Sequence, residues 1–298
     1  MGWYVGIDVG GTWVRLLAAS SGGERAEATP VRLPANYDDL IGTIAAMLPM
    51  QARGQVLGAT CGLPGSCDED RPLFVPALPW SEGKPLSADL SAALGAPVTL
   101  GTDGHLTLLA EVHEGAAIGA RTVVLVAVGT GIGGALMVDG KLWRGHHASA
   151  GSWGWLPAEG FAASASHGAF EQAASGDALS QLAGTVTAGW SGPELVHAAR
   201  CGDAAALEAA SLYASRLAGG IAALASVIDP DVILVGGGIS AAMDVLGPLV
   251  ANHVQGLASP DGGRVPVRPA ALGPAGGVVG ALIDAQNHPF ELGPRPIA

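Results

Sequence analysis

The sequence has 298 residues, of which 49 % are hydrophobic and 13 % are charged. A chain of this length can bury two cores, and its 46 glycines and 20 prolines punctuate periodic segments without forming one low-complexity tract. The net charge of −12 excludes a broad basic surface, so we expect no nucleic-acid partner. Because the chain has only two lysines, backbone amides, a metal ion or arginine must hold any anionic ligand.

The chain shows no feature of secretion or of a membrane anchor. It opens directly on an apolar strand, without the charged segment and cleavage site of a signal peptide. Its apolar stretches are interrupted well before about 18 residues, and its three cysteines form no CxxC pair. We therefore expect a cytoplasmic protein with free thiols and no membrane contact.

The first part of the chain reads as two strands followed by alternating helices and strands, which is typical of a mixed sheet covered by helices. The predicted elements are strands at 3–9, 14–19, 56–61 and 98–100 and helices at 38–50, 87–94 and 104–115.

The strand pattern restarts after residue 115, where we place a domain boundary. Strands are predicted at 122–128, 135–138, 232–235 and 265–268 and helices at 203–228, 241–254 and about 276–287, with an irregular region at 144–176. A strand, a glycine turn and a second strand thus occur twice, at 3–19 and 122–138, which indicates a duplication. We expect domains at 1–115 and 116–298.

Three glycine turns are candidates for binding an anion through backbone N–H groups. In the first, Asp8 precedes Gly10, Gly11 and Thr12; the glycine pair suits the positive φ values of a tight hairpin, and Asp8 is placed to hold Mg²⁺. A plain hairpin is the alternative interpretation. The second turn contains Gly129, Thr130, Gly131 and Gly133, and the third contains Gly236, Gly237 and Gly238.

The second turn formally contains GxGxxG, but a dinucleotide site needs these glycines to open a helix. Here a strand follows, so a second phosphate-binding hairpin fits better. No GxxxxGK[ST] sequence occurs anywhere in the chain, which excludes a P-loop. The third turn follows a strand and opens a helix, so it could contact a nucleotide or only allow close packing.

In this order along the chain, these segments resemble the ROK family of sugar kinases and sugar-responsive repressors. The resemblance also includes the GxPG turn at 62–65, the segment at 140–145 and the loop at 235–240. It implies an α/β fold of the two-domain actin-like ATPase class (ribonuclease H-like), with ATP and Mg²⁺ in an interdomain cleft and a final helix that packs back on the first domain. The family's repressors carry an N-terminal DNA-binding domain, and this chain begins at the first strand.

The resemblance assigns Asp103 as the general base, since Thr102-Asp103 occupies the family's Asn-Asp position. A carboxylate there can accept the proton of a substrate hydroxyl during phosphoryl transfer. Without that context, Asp103 before a helix is equally an N-cap. The phosphates are assigned to the first two turns and adenosine to the third, while Gly65, Thr102 and Glu171 are expected near the sugar.

The sugar and zinc segments depart from the family pattern. Ser152 stands where the family has a sugar-binding Glu, and Trp155 replaces the His that meets both sugar and zinc. Every zinc-binding cysteine is lost in the segment at 162–169, so we expect no structural zinc. Trp153 or Trp155 could stack on a sugar or cyclitol ring, or both could simply fill the space of the missing zinc lobe.

The sequence thus predicts an ATP-dependent phosphotransferase acting on a hydroxyl of a sugar or sugar-like polyol, with a hexose as the default acceptor and a cyclitol or other non-standard acceptor as the alternative, in a protein that family analogy makes a homodimer. A catalytically weak sugar sensor on the same fold is the main alternative. A partner-dependent ATPase is disfavoured by the GxPG turn and the Glu171 segment.

Overall fold

The structure is a computed structural model that describes residues 2–68, 70–147 and 149–287; the predicted second domain therefore extends, at 288–298, beyond the described residues. The helices are α1 (Tyr37–Met47), α2 (Leu86–Leu94), α3 (Asp103–Glu114), α4 (Ala169–Ala174), α5 (Gly176–Val186), α6 (Gly192–Arg200), α7 (Ala204–Ile228), α8 (Met243–Leu257) and α9 (Gly276–Gln286). The strands are β1 (Trp3–Val9), β2 (Trp13–Ser20), β3 (Arg25–Glu27), β4 (Val31–Arg32), β5 (Val56–Leu63), β6 (Ser66–Cys67), β7 (Pro72–Phe74), β8 (Val98–Thr102), β9 (Val123–Val128), β10 (Ile132–Val138), β11 (Lys141–Leu142), β12 (Val232–Gly236) and β13 (Val267–Pro269).

The chain divides into two compact units. Unit 1 comprises the described residues within Met1–Glu111, Arg144–Ser149 and Pro274–Ala298, and unit 2 comprises Val112–Trp143 and Ala150–Gly273. The sequence placed the change near residue 115 and did not foresee that the short segment Arg144–Ser149 belongs with unit 1. Such a segment carries no hydrophobic period of its own, so only its tertiary contacts reveal where it belongs.

The sheet of unit 1 has the strand order β3-β2-β1-β5-β8, with β4 also paired to β2. β1 and β2 form an antiparallel hairpin, whereas β5 and β8 run parallel to β1. The core beside this sheet contains apolar side chains of β1 and β2 together with Leu40, Ile44 and Leu90 from α1 and α2. Parallel strands end at one edge of a sheet, and the sequence places Asp8 and Thr102 at those ends.

The sheet of unit 2 repeats this topology with the order β11-β10-β9-β12-β13. β9 and β10 form the antiparallel hairpin, and β12 and β13 continue the sheet in parallel pairing. The shared order is the relation that a duplication of the strand–glycine turn–strand unit predicts. The region expected to be irregular at 144–176 contains α4, and α5 and α6 follow it; their high alanine and glycine content concealed the helical period.

Helix α7 is the central core helix of unit 2. Tyr213, Leu217 and Ile221 are fully buried on it, and the hydroxyl of Tyr213 donates a 2.7 Å hydrogen bond to the carbonyl of Ala174. By length and composition α7 could also cross a membrane, and half of its most apolar window is buried. Gly219 and Gly220 interrupt the apolar sequence of α7, and a core helix rich in alanine has the same length and composition.

Helix α9 packs against β1, β5 and β2 of unit 1 through a row of glycines. A Cβ atom on Gly280 would collide with the backbone carbonyl of Leu106 in α3, and one on Gly6 of β1 would collide with the backbone of α9 at Val278 and Leu282. A Cβ on Gly277 would lie 2.9 Å from Cγ of Asp8. These glycines let the backbones approach closely enough to cover the end of β1.

Replacing Gly280 by alanine tests this close approach. We expect Gly280→Ala to lower the free energy of unfolding by about 2 kcal/mol or more, because the added methyl group forces backbone atoms apart. The matched control is Gly184→Ala in the exposed part of α5, where a Cβ meets nothing within 4 Å and alanine should add about 0.5–1 kcal/mol. Urea unfolding of both variants measures the difference; equal effects would contradict the packing role of Gly280.

Candidate active site

Asp8 lies at the end of β1, where it is 9 % exposed. Its carboxylate is 3.6 Å from the guanidinium of Arg15 on the neighbouring strand. Desolvation by burial and the negative charge of Asp103, opposed by Arg15, raise the pKa of Asp8 to about 6. The charged form of this carboxylate therefore costs the folded protein free energy.

The turn after Asp8 is exposed at Gly11 and Thr12, but its glycines do not have the positive φ values that the sequence predicted. The N–H of Gly10 donates to the carbonyl of Trp13 at 2.9 Å, and Gly11 and Thr12 are exposed. Neither Gly10 nor Gly11 has a positive φ, so that expectation was wrong. A Cβ on Gly11 would lie only 3.3 Å from Cβ of Ala77, so the glycines serve close approach, as a backbone anion site requires.

Asp103 is the first residue of α3, directly after β8. Thr102 fills the cap position, since its hydroxyl lies 3.4 Å from the N–H of His105, so Asp103 is not the N-cap. The Asp103 carboxylate accepts a 2.7 Å hydrogen bond from the N–H of Gly104 and remains exposed to solvent. Desolvation nevertheless raises its pKa, against the lowering effect of these backbone hydrogen bonds. A carboxylate with a raised pKa is a better proton acceptor near neutral pH.

Two further residues of unit 1, Gly65 and Arg144, have surroundings that the sequence did not indicate. Gly65, expected near the sugar, must be glycine for a packing reason, since a Cβ would collide with the carbonyl of Phe74 in β7. Arg144 was not assigned a role from sequence, although it lies in the segment 140–145 that carries the resemblance. Burial and then the positive charge of Arg144 lower the pKa of His105, and the same charge opposes the burial that raises the pKa of Cys67.

In unit 2, the glycine turn between β9 and β10 is held from several sides. The N–H of Gly129 donates to the carbonyl of Gly131 at 2.9 Å, and the N–H of Gly176 donates to Gly129 at 2.7 Å. A Cβ on Gly129 or Gly133 would meet nothing within 4 Å. The backbone of this hairpin is therefore fixed while its surface at these two glycines stays open to a ligand.

Glu171 of α4 packs against this same hairpin. Its Oε2 accepts a 2.8 Å hydrogen bond from the N–H of Ile132, and a Cβ on Gly131 would collide with it. Gly154 is close too, since its Cβ would lie 3.1 Å from Cβ of Glu171. The resemblance predicted a sugar contact for Glu171; the structure places one carboxylate oxygen on the predicted phosphate hairpin.

The two tryptophans of the departing segment have different environments. Trp153 is partly buried, and its indole N–H donates a 2.8 Å hydrogen bond to the carbonyl of Leu125. Its ring also packs against Gly134, so Trp153 is a structural side chain. Trp155 is 54 % exposed, and Ser152 at the start of the same turn is exposed as well. Of the two indoles, Trp155 is the one that a ligand can reach.

The third turn packs against the end of β9. Gly237 has a φ of +75°, and a Cβ there would collide with the carbonyl of Val128, the residue before Gly129. Gly236 ends β12 in a buried position, and Gly238 opens a short 3-10 turn with open space at its Cβ position. Unit 2 thus brings the predicted adenosine loop and the second hairpin together.

Metal-binding clusters and cavities give no further candidate for the active site in the described part of the chain. Among the described residues no group of three or more His, Cys, Asp and Glu side chains could hold a metal ion. A cavity of about 820 Å³ lies in unit 2 between α7, α8 and the segment 157–161, and no predicted site residue lines it. The candidate chemistry is therefore concentrated at the strand ends described above.

Comparison with known proteins shows the family of this chain. The sequence matches the family model described as ROK family over residues 4–288. It is 30 % identical to a glucokinase of Halalkalibacterium halodurans, over 98 % of both chains, and 30 % identical to an N-acetyl-D-glucosamine kinase of Photobacterium profundum, over 93 % of this chain and 97 % of the other. A ROK family glucokinase from Streptomyces griseus, solved with glucose and AMPPNP, has 27 % identity and a TM-score of 0.79, covering 96 % of this chain and 100 % of that one.

The chain therefore belongs to the ROK family. This confirms the predicted α/β fold of the actin-like ATPase class and the predicted enzyme class, an ATP-dependent carbohydrate kinase. Relatives named for glucose and for N-acetylglucosamine are equally similar at 30 % identity, so the similarity supports a sugar kinase as the class.

The buried carboxylate of Asp8 predicts a pH-dependent stability in the absence of metal and nucleotide. Its pKa is about 6 when folded and 3.8 as a free group, so ionisation costs the folded state up to about 3 kcal/mol. This cost is absent below about pH 4, grows as pH rises and is complete above about pH 6. Relative to Asp8→Asn, the wild type should therefore lose stability between these values. Urea unfolding in EDTA measures this; a constant difference from pH 4 to pH 8 would contradict it.

The position of Glu171 predicts an effect on nucleotide use as well as on the sugar. Glu171→Ala removes a charged partner of the Ile132 N–H, so we expect the KM for ATP to rise about tenfold. Glu171→Gln retains an acceptor oxygen and should have a smaller effect. Steady-state ADP release at saturating sugar measures this, and a KM change confined to the sugar would show that Glu171 does not support the hairpin.

Proposed function

We propose that this protein transfers the γ-phosphoryl group of ATP to a hydroxyl of a hexose or a sugar-like polyol, with Asp103 as the general base. The observation that carries the proposal is the Asp103 carboxyl itself. It is accessible at the start of α3, it follows a strand end, and desolvation raises its pKa. Membership of the ROK family shows the enzyme class, and the position and raised pKa of Asp103 support the proposed role.

Asp103 accepts the proton of the acceptor hydroxyl as that oxygen forms its bond to the γ-phosphorus and the bond to ADP breaks. The N–H of Gly104 holds one carboxylate oxygen at 2.7 Å, which fixes the orientation of the group. A base positioned in this way contributes about 10²–10⁴ in rate, and most of the remaining acceleration in phosphoryl transfer comes from positioning and charge stabilisation.

The residues present fit a magnesium–nucleotide complex. The carboxylate of Asp8 is an oxygen ligand of the kind that Mg²⁺ prefers, and the open positions at Gly129 and Gly133 would admit phosphate oxygens to backbone N–H groups. When bound, the ion neutralises phosphate charge. Asp8 would hold the ion, Gly10–Thr12 and the second hairpin would orient the phosphates, and Gly236–Gly238 would contact adenosine.

The acceptor side differs from the family pattern in the groups that it offers. Ser152 gives a neutral hydroxyl in place of a carboxylate, and the exposed indole of Trp155 gives a flat apolar surface. Such a surface suits the apolar face of a ring, while loss of charge weakens hydrogen bonds to sugar hydroxyls. We therefore expect a preference for a modified hexose or a cyclitol over glucose, and as a family property a homodimer in the cytoplasm.

The test is ADP release with ATP and Mg²⁺ across hexoses, N-acylhexosamines, inositols and other cyclitols. One acceptor should give strong turnover, and Asp103→Asn should reduce it at least about 100-fold while leaving ATP binding intact. The matched control is Asp38→Asn, an exposed carboxylate in the first turn of α1, which should keep full activity.

Two outcomes would redirect the assignment. Turnover retained by Asp103→Asn would show that this carboxylate is not the base. Silence across the whole panel, with ATP binding still measurable, would favour a sugar sensor built on the same fold.

A further inference from the structure

His105 is a buried polar side chain in the first turn of α3. It is 3 % exposed, and its Nδ1 lies 2.7 Å from the hydroxyl oxygen of Thr102. Its Nε2 is also buried and has no hydrogen-bond partner among the residues that the structure describes. The imidazole therefore makes its one polar side-chain contact with the residue that precedes Asp103.

The imidazole is neutral at physiological pH. Burial, followed by the positive charge of Arg144, lowers the pKa of His105 to about 4. A neutral ring carries a single N–H, on either Nδ1 or Nε2. With the hydrogen on Nε2, the protein would bury an N–H group that has no acceptor, which is rarer than an acceptor without a donor. The Nδ1–H form is therefore favoured, and it donates to Thr102.

This tautomer decides what the hydroxyl of Thr102 can do. Its oxygen then accepts from Nδ1–H of His105 and, at 3.4 Å, from the backbone N–H of the same residue. The hydrogen of the Thr102 hydroxyl is then not used in either hydrogen bond, and no group in the described part of the chain accepts it. Thr102 is partly exposed beside Asp103, so this hydrogen can be donated to a ligand.

We propose that His105 is a positioning residue that orients the hydroxyl of Thr102 as a hydrogen-bond donor to an oxygen of the sugar or polyol acceptor. The inference rests on the proposed function, in which Asp103 is the base and Thr102 lies at the acceptor. The ligand chemistry follows: the acceptor carries, next to its reacting hydroxyl, an oxygen with a free lone pair, such as a second hydroxyl or a ring oxygen.

A double-mutant cycle tests the link with kinetics, using the panel acceptor of highest turnover. Thr102→Val and His105→Phe should each raise the acceptor KM about tenfold, more than they lower kcat, and leave the KM for ATP within about twofold. The double variant should be no worse than Thr102→Val alone, because His105 acts through Thr102. His105→Asn keeps an N–H at the position of Nδ1 and should recover most of the affinity. Additive effects of the two substitutions would overturn the proposal.

The tautomer can be measured without any substrate. In the full chain labelled with ¹⁵N-histidine, long-range ¹H–¹⁵N correlations should show a neutral Nδ1–H ring for His105 at pH 6–8, assigned by its loss in His105→Asn. An Nε2–H or cationic ring would overturn the proposal, because Thr102 would then donate to His105 or face a charge. If Asp103→Asn keeps its activity or no acceptor is found, the proposed function fails, and the ring measurement still decides the link between His105 and Thr102.

Discussion

The close packing of α9 against β1 and α3 is the constraint on which the candidate chemistry of unit 1 depends. Gly277 lies against the Asp8 carboxyl, and Gly280 lies against the backbone of α3 at Leu106, three residues after Asp103. A methyl group at either position would move an element that carries a carboxylate. The same approach removes water from Asp8, so the packing that builds the site also raises the pKa of Asp8. Helix α9 therefore shapes this region through Gly277 and Gly280, the two positions at which it has no side chain.

The burial of the Asp8 carboxyl group reduces the stability of the folded protein. An ionised Asp8 lowers the free energy of unfolding, because its pKa is higher in the folded protein than as a free group. The start of α3 shows a related compromise: backbone N–H groups favour the charged form of Asp103, while desolvation disfavours it more strongly. Perturbed pKa values cluster at functional sites, so the raised pKa values of Asp8 and Asp103 are consistent with a reactive role for this region.

Unit 2 is organised around the backbone of its glycine hairpin. Glu171 binds the Ile132 N–H from one side, and the third turn contacts Val128 from another. The segment without zinc ligands still has a structural function, because Trp153 ties it to β9 through the Leu125 carbonyl. Trp155, by contrast, is exposed. The Glu171 carboxylate, for which a sugar contact is predicted, has one of its oxygens on the hairpin.

The sequence by itself determined the order of strands and glycine turns, and with it the fold class, because buried strands and their turns leave short local patterns. It also brought Asp8 and Asp103 to strand ends. Only the tertiary structure decided which groups surround these residues. The Thr102–His105 hydrogen bond, the position of Arg144 near His105 and the hydrogen bond of Glu171 to the Ile132 N–H depend on side-chain directions. No local hydrophobic period encodes such directions. For the same reason, the φ values predicted at Gly10 and Gly11 were wrong, and the helices α5 and α6 were not predicted. Local composition permits several conformations, and packing selects one of them.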